Sequence, residues 1–197
     1  MKWLVCLGLC VALAAGARAR QQAAIASAHP LATTAGYDIL KRGGNAFDAA
    51  VAVAAALAVV EPYSSGIGGG GFLLLHRADD NKQVMIDARE TSPAGVKREQ
   101  YLDAAGRPVQ GATVRGATSA GIPGTPAGLV HVARHYGVLP LAELLAPAIK
   151  LARDGFAVDP RYARIAGIRQ QSLIREAEAA RIFLVGGAAL TVGYPLK

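Results

Sequence analysis

The chain has 197 residues, of which 52% are hydrophobic and 18% charged, with 23 glycines, 10 prolines, two cysteines and a formal net charge of +7. These values exclude a disordered tail, a collagen-like repeat and a disulfide-stapled miniprotein, and the length suits roughly one domain. The basic excess is spread thinly, with no block of consecutive Lys or Arg and no interleaved aromatics, so a solvated surface outweighs nucleic-acid binding.

Met1 and Lys2 give a short positive start, Trp3 to Ala15 is an unbroken apolar run, and small residues follow at Ala15-Gly16-Ala17 and Ala17-Arg18-Ala19. This layout predicts a secretory signal peptide over residues 1–19, cut after Ala19 or Ala17. The apolar run is shorter than the ~20 residues needed to cross a bilayer, so no membrane attachment is expected after cleavage. Leu9 before Cys10 argues against lipidation. Both cysteines, Cys6 and Cys10, fall in this segment, so the mature chain would hold no disulfide, no cysteine metal site and no cysteine nucleophile.

In the remainder, Ala23 to Ala28 reads as a short strand ending at His29-Pro30. Leu31 to Leu40 has apolar residues at helical spacing, closed by Lys41-Arg42 and Gly43-Gly44, a basic last turn with glycine after it. Asn45 can cap a second helix, with Asp48 in capping-box position. Ala46 to Val60 is then apolar on nearly every face, which predicts a buried helix ended by Glu61-Pro62. The run Ser64-Ser65-Gly66-Ile67-Gly68-Gly69-Gly70-Gly71 leads into Phe72 to His76, read as a buried strand, and Val84 to Asp87 is its hairpin partner through a polar turn at 78–82. Residues 87–93 leave that strand as a loop. Residues 101–128, rich in Gly, Pro and Thr, predict an irregular excursion. Helices are expected over Leu129–Tyr136, Leu141–Asp154 and, more weakly, Tyr162–Glu178, with Pro140, Pro147 and Pro160 at or near helix starts.

The glycine run does not fit a nucleotide site. A dinucleotide fingerprint lies between a strand and a following helix, whereas here the order is helix, glycines, strand, and no Gly-Lys-Ser or Gly-Lys-Thr follows. The glycines either let backbones approach closely or shape a small-ligand pocket. His131 and His135 have zincin spacing, but Val132 stands where the motif has Glu and no third ligand is evident, so no metal or other cofactor is expected. Ser64, Ser65 and Ser119 lack a nucleophile elbow and a partner histidine, and suit turns and caps better. Asp87-Ala88-Arg89-Glu90-Thr91-Ser92-Pro93 is different in kind. Arg89, flanked by two acids at a strand end, is either a structural ion-pair cluster or a guanidinium presented to a substrate carboxylate.

From about Ala24 to Lys197 the chain resembles the N-terminal part of the gamma-glutamyltransferases, also called gamma-glutamyl transpeptidases or glutathione hydrolases. The resemblance is carried in order by Ala26-Ser27-Ala28-His29-Pro30-Leu31-Ala32, Gly43-Gly44-Asn45-Ala46-Phe47-Asp48-Ala49-Ala50-Val51-Ala52, Glu61-Pro62, Ser65 to Phe72, the Arg89 loop, Gly121 to Leu129, and Tyr136 to Phe156. It implies a layered α/β fold, the αββα sandwich of the N-terminal nucleophile hydrolases, here incomplete, with residues 20–197 forming the N-terminal part of a large subunit. It further implies an exported, periplasmic bacterial protein that cuts itself into two subunits. The new N-terminal Thr of the small subunit is the nucleophile, activated by its own α-amine. The substrates implied are gamma-glutamyl compounds such as glutathione, and the partner is the small subunit of the same precursor.

Arg89 matches the family's arginine for the substrate α-carboxylate, and Gly66 to Gly71 match its glycine motif, read as structural support without direct contact. No catalytic residue is expected within the chain, because Thr33, Thr34, Thr91, Thr113, Thr118, Thr125 and Thr191 all lie at non-matching positions and the nucleophile is placed beyond Lys197. Alternatives are a cephalosporin-acylase-like member of the family, a non-catalytic glutamyl-binding remnant, and a gene product without function.

Overall fold

The computed structural model describes residues 23–197; the predicted signal peptide, with Cys6 and Cys10, lies outside the described residues. The first two helices are those expected from the sequence. Helix α1 (Pro30–Lys41) begins on His29, whose Nδ1 accepts the Leu31 N–H at 3.1 Å. Helix α2 (Ala46–Val60) begins on a capping box in which Asn45 Oδ1 accepts the Phe47 and Asp48 N–H groups and Asp48 Oδ2 accepts the Asn45 N–H. Small residues let the two helices lie close: Ala32, Ala35, Ala55 and Ala56 are all buried, and a Cβ on Gly36 would stand 2.7 Å from Val53 Cγ2.

Residues 23–28 form no strand. They run as coil beside α1, where the Tyr37 hydroxyl accepts the Ile25 N–H at 3.2 Å and Ile25 fills the space left by Gly36. A strand needs a ladder partner, and this segment has a helix for a neighbour.

Strands β1 (Gly71–Arg77) and β2 (Lys82–Ala88) pair antiparallel from Gly71↔Ala88 to Arg77↔Lys82. Leu73, Leu75, Val84 and Ile86 face inward on the largest core cluster, with Ile39, Val51, Leu129, Val132 and Leu144. The expectation of a buried first strand is corrected: Phe72 and Leu74 are 63% and 66% exposed, and Met85, opposite Leu74, is 59% exposed. The apolar run hides a two-residue alternation, because both of its faces are hydrophobic and only one is covered.

Residues 89–124 form the irregular excursion, with short 3-10 turns at Arg98–Tyr101 and Ala117–Ser119. Helix α3 (Thr125–Tyr136) starts four residues earlier than expected, and α4 (Leu141–Asp154) matches the expected bounds. Pro140 and Pro160 stand at helix starts, but Pro147 sits inside α4. A proline there costs one hydrogen bond to the carbonyl four residues back, which belongs to Glu143, an exposed residue.

The last third is less helical than expected. Strand β3 (Phe156–Ala157) pairs with β6 (Pro195–Leu196), and the weak segment divides into α5 (Pro160–Leu173) and α6 (Ala177–Phe183). The chain then turns back through a second hairpin, β4 (Leu184–Val185) with β5 (Ala188–Ala189), whose turn is Gly186-Gly187, both at positive φ, the backbone demanded by a two-residue hairpin turn. The Gln170 amide bonds the Gly187 carbonyl at 2.9 Å. This return along α5 requires the break between the two helices. Val60, Phe156, Val158, Tyr162, Leu190 and Leu196 make a second core there. No helix among the described residues is long and apolar enough to cross a membrane.

Candidate functional site: the Arg89 loop

The β2 strand ends at Ala88, and Arg89 is the first residue past the ladder. Asp87 Oδ1 accepts the Arg89 N–H at 2.9 Å, which turns the chain out of the strand. Two residues on, Thr91 and Ile122 exchange both backbone hydrogen bonds, at 3.2 and 2.8 Å, so the loop is pinned to the far end of the excursion. The Arg89 side chain is 56% exposed, and its Nε lies 3.1 Å from Glu90 Oε2. Among the described residues this is the ion pair Arg89 makes. It leaves the two terminal nitrogens of the guanidinium for another carboxylate, and a planar fork of this kind holds a carboxylate with two parallel bonds. The neighbouring acid therefore orients Arg89 without consuming it. An exposed pair of this sort is worth only ~0.2–1 kcal/mol, so it contributes direction more than stability.

Glycines surround the same backbone. A Cβ on Gly70 would lie 2.4 Å from the Ala88 carbonyl oxygen and 2.7 Å from Arg89 Cα, and one on Gly124 would lie 2.2 Å from the Ala88 oxygen and 2.5 Å from the Arg89 oxygen. Gly121 approaches Glu90 Cβ and the Thr91 oxygen, and Gly128 approaches Ala88 Cβ. Gly69 closes the arrangement, its carbonyl accepting the Gly124 and Thr125 N–H groups at 3.1 and 3.0 Å. These are two of the donors that any helix start leaves unpaired. Part of the glycine run thus supports the Arg89 loop. Nothing local in the sequence ties Gly121, Gly124 and Gly128 to this loop, although Gly121 to Leu129 is one of the segments that carry the resemblance.

The other candidates lie elsewhere. His131 and His135 stack on the exposed face of α3 with ring centroids 4.1 Å apart, and no group of three metal-ligating side chains exists among the described residues. The N–H groups of Ser64 and Ser65 donate to the Glu61 carbonyl in the turn after α2, and the Ser119 hydroxyl donates to the Gly116 carbonyl. Two carboxylates that the sequence marks only as a helix cap and a helix stop are buried. Asp48 is fully buried and joins the start of α2 to the end of α3 through the Val138 N–H. Glu61 is 1% exposed, with Arg161 Nη1 3.5 Å from its Oε1.

Comparison with known proteins gives one consistent answer. The family model described as Gamma-glutamyltranspeptidase matches residues 32–197. The glutathione hydrolase proenzyme of Bacillus subtilis strain 168 is 42% identical over 170 residues, which are 86% of this chain and 29% of that protein. The crystal structure of Helicobacter pylori gamma-glutamyltranspeptidase superposes with a TM-score of 0.84 at 36% identity, covering 89% of this chain and 51% of that one. A cephalosporin acylase from Bacillus halodurans superposes with a TM-score of 0.73 at 30% identity, covering 91% and 37%. The chain therefore spans about three-tenths of the curated relative's length. With two thirds of its length or more matched by these proteins, and with the mixed α/β architecture of the N-terminal nucleophile hydrolases, the chain belongs to the gamma-glutamyltranspeptidase family.

Proposed function

We propose that this chain is part of the large subunit of an exported, self-processing enzyme that transfers or hydrolyses gamma-glutamyl groups, and that Arg89 binds the substrate's α-carboxylate. The observation that carries it is the exposed Arg89 guanidinium, held through Nε by Glu90 on a backbone clasped by glycines. A gamma-glutamyl compound offers an α-carboxylate several bonds from the amide that reacts. Binding that remote charge holds the donor equally before and during the reaction, so it contributes affinity.

The reaction then needs a threonine hydroxyl, which we place beyond Lys197, with its own free α-amine as the base. The oxygen attacks the γ-carbonyl carbon, the amide C–N bond breaks, and the amine leaves with the proton that the α-amine took from the hydroxyl. An ester to threonine remains. Water then releases glutamate, or an acceptor amine takes the acyl group, and the hydroxyl regains its proton. Glutathione is the donor suggested by the relative's name. The term proenzyme in that name supports a precursor that matures into two subunits, the second of which would be this chain's partner. The charged start, apolar run and small-residue motifs of residues 1–19 support export through a cleaved signal peptide, to the periplasm of a bacterium or beyond. The likeness to a cephalosporin acylase favours a second reading, in which the same scaffold hydrolyses a different amide.

The test is Arg89→Lys in the full-length protein. An ammonium cannot form the two-pronged contact, so KM for a gamma-glutamyl anilide should rise about 10-fold or more while kcat changes little. An unchanged KM would return Arg89 to a surface ion pair.

A further inference from the structure

We infer that Gly124, together with Gly70, is a positioning residue for Arg89, present because the Arg89 backbone occupies the space where their side chains would stand. This rests on the proposed role of Arg89 and extends it to the groups that set where the guanidinium is. Neither glycine has the positive φ that would require glycine for conformational reasons; Gly124 sits at φ −93°, ψ −24°, open to any L residue. Gly124 is also the N-cap of α3, where Ser, Thr, Asp or Asn would stabilise the helix by accepting a first-turn N–H, yet no side chain caps this helix. Conformational freedom and capping both fail to explain a glycine here. Space explains it.

The two glycines close on the residue from different segments. A Gly70 Cβ would meet the Ala88 oxygen, Arg89 Cα and the Glu90 nitrogen, and a Gly124 Cβ would meet the Ala88 and Arg89 oxygens, all within 2.7 Å. Every one of these is a backbone atom, so no side-chain rotation relieves the contact. A carbon needs roughly 1 Å more than this from its neighbour, so an alanine at either position must push the peptide planes on both sides of Arg89. The Thr91–Ile122 and Gly69–Gly124 hydrogen bonds tie the same segments together, so the displacement reaches Arg89 and is not absorbed by a loose loop.

The experiment is Gly124→Ala in the full-length protein, measured beside Arg89→Ala and the double variant with a gamma-glutamyl anilide. A contact made alike before and during the reaction acts on KM and leaves kcat unchanged, so Gly124→Ala, by displacing Arg89, should raise KM about 10-fold or more with kcat within about 3-fold. The double variant should have the KM of Arg89→Ala alone, since two changes that act through one contact do not add. Gly121→Ala, whose Cβ meets Glu90 Cβ at 3.1 Å and the Thr91 oxygen at 3.3 Å, is the milder variant should Gly124→Ala not fold, with KM expected to rise about 2- to 5-fold. If Arg89→Ala raises KM while Gly124→Ala and Gly121→Ala leave it alone, the positioning role is wrong and the Arg89 reading stands. Losses that multiply in the double variant also overturn the positioning role. If Arg89→Ala leaves KM unchanged, the carboxylate reading fails and the positioning role with it.

Discussion

Asp48→Ala probes the joint between α2 and α3 that holds the hairpin in place. The Asp48 carboxylate is fully buried, accepts the Asn45 N–H at 2.9 Å and the Val138 N–H at 3.1 Å, and lies against Gly137. Removing it leaves two backbone donors without their acceptor. Hydrogen bonds to a charged group contribute ~1.5–3 kcal/mol each, and the carboxylate at the positive end of α2 adds about 0.3–1 kcal/mol. The loss should be about 3–7 kcal/mol, a large share of the ~5–15 kcal/mol typical of a whole domain. Asp48→Asn keeps one acceptor oxygen but turns an NH2 toward the second donor, and should fall between the two. Urea unfolding followed by circular dichroism gives the comparison, with the midpoint moving and the slope constant if the unfolded state is unaffected. A shift in Asp48→Ala worth less than ~1 kcal/mol would refute the reasoning, because it is smaller than the cost of one buried donor left unpaired.

His29→Ala removes both the N-cap acceptor of α1 and the Nε2 contact with Asp159 Oδ2 at 3.2 Å, so denaturation should show a loss of about 1–2 kcal/mol, part of which His29→Asn recovers by capping. Tyr162 is nearly buried, and burial, reinforced by Tyr63, pushes its phenol up to about 12. The fold therefore favours the neutral phenol: its contribution to stability is complete below pH 10 and is lost as the pH rises from 10 through about 12. Alkaline spectrophotometric titration should show a tyrosine ionising near pH 12 that Tyr162→Phe removes, and ionisation of Tyr162 near pH 10 would contradict the burial seen here.

Much of the scaffold was legible because its signals are local. The Asn45 and Asp48 pair marked the start of α2 to the residue, and the Gly43-Gly44 pair marked the end of α1, since caps and stops act within a few residues of one another. Ala23–Ala28 departs from the expected strand for the opposite reason: strand character depends on a neighbour, and the neighbour is a helix. Phe72 and Leu74 are exposed where burial is expected, because composition records that a residue is apolar and not which face of the strand is covered. The β4–β5 hairpin is not legible although Gly186-Gly187 is a turn signal, because two-residue strands carry no periodicity. At the site, Arg89 could be singled out by its acidic flanks. Its clasp could not, since Gly70, Arg89 and Gly124 meet only through tertiary contact, and Thr91 finds Ile122 across 31 positions of irregular chain.

The claim that Arg89 recognises an α-carboxylate is tested most directly by changing the protein and the substrate together. The full-length wild type and Arg89→Ala are each assayed with a gamma-glutamyl anilide and with the 4-aminobutyryl anilide, which differs only in lacking the α-carboxylate. A charge-assisted contact of ~1.5–3 kcal/mol is about 10- to 150-fold in kcat/KM. The account predicts that the wild type prefers the gamma-glutamyl donor by at least that factor and that Arg89→Ala erases the preference by losing activity on that donor alone. A preference that survives in Arg89→Ala, or an equal loss on both donors, would show that Arg89 is not the carboxylate's partner.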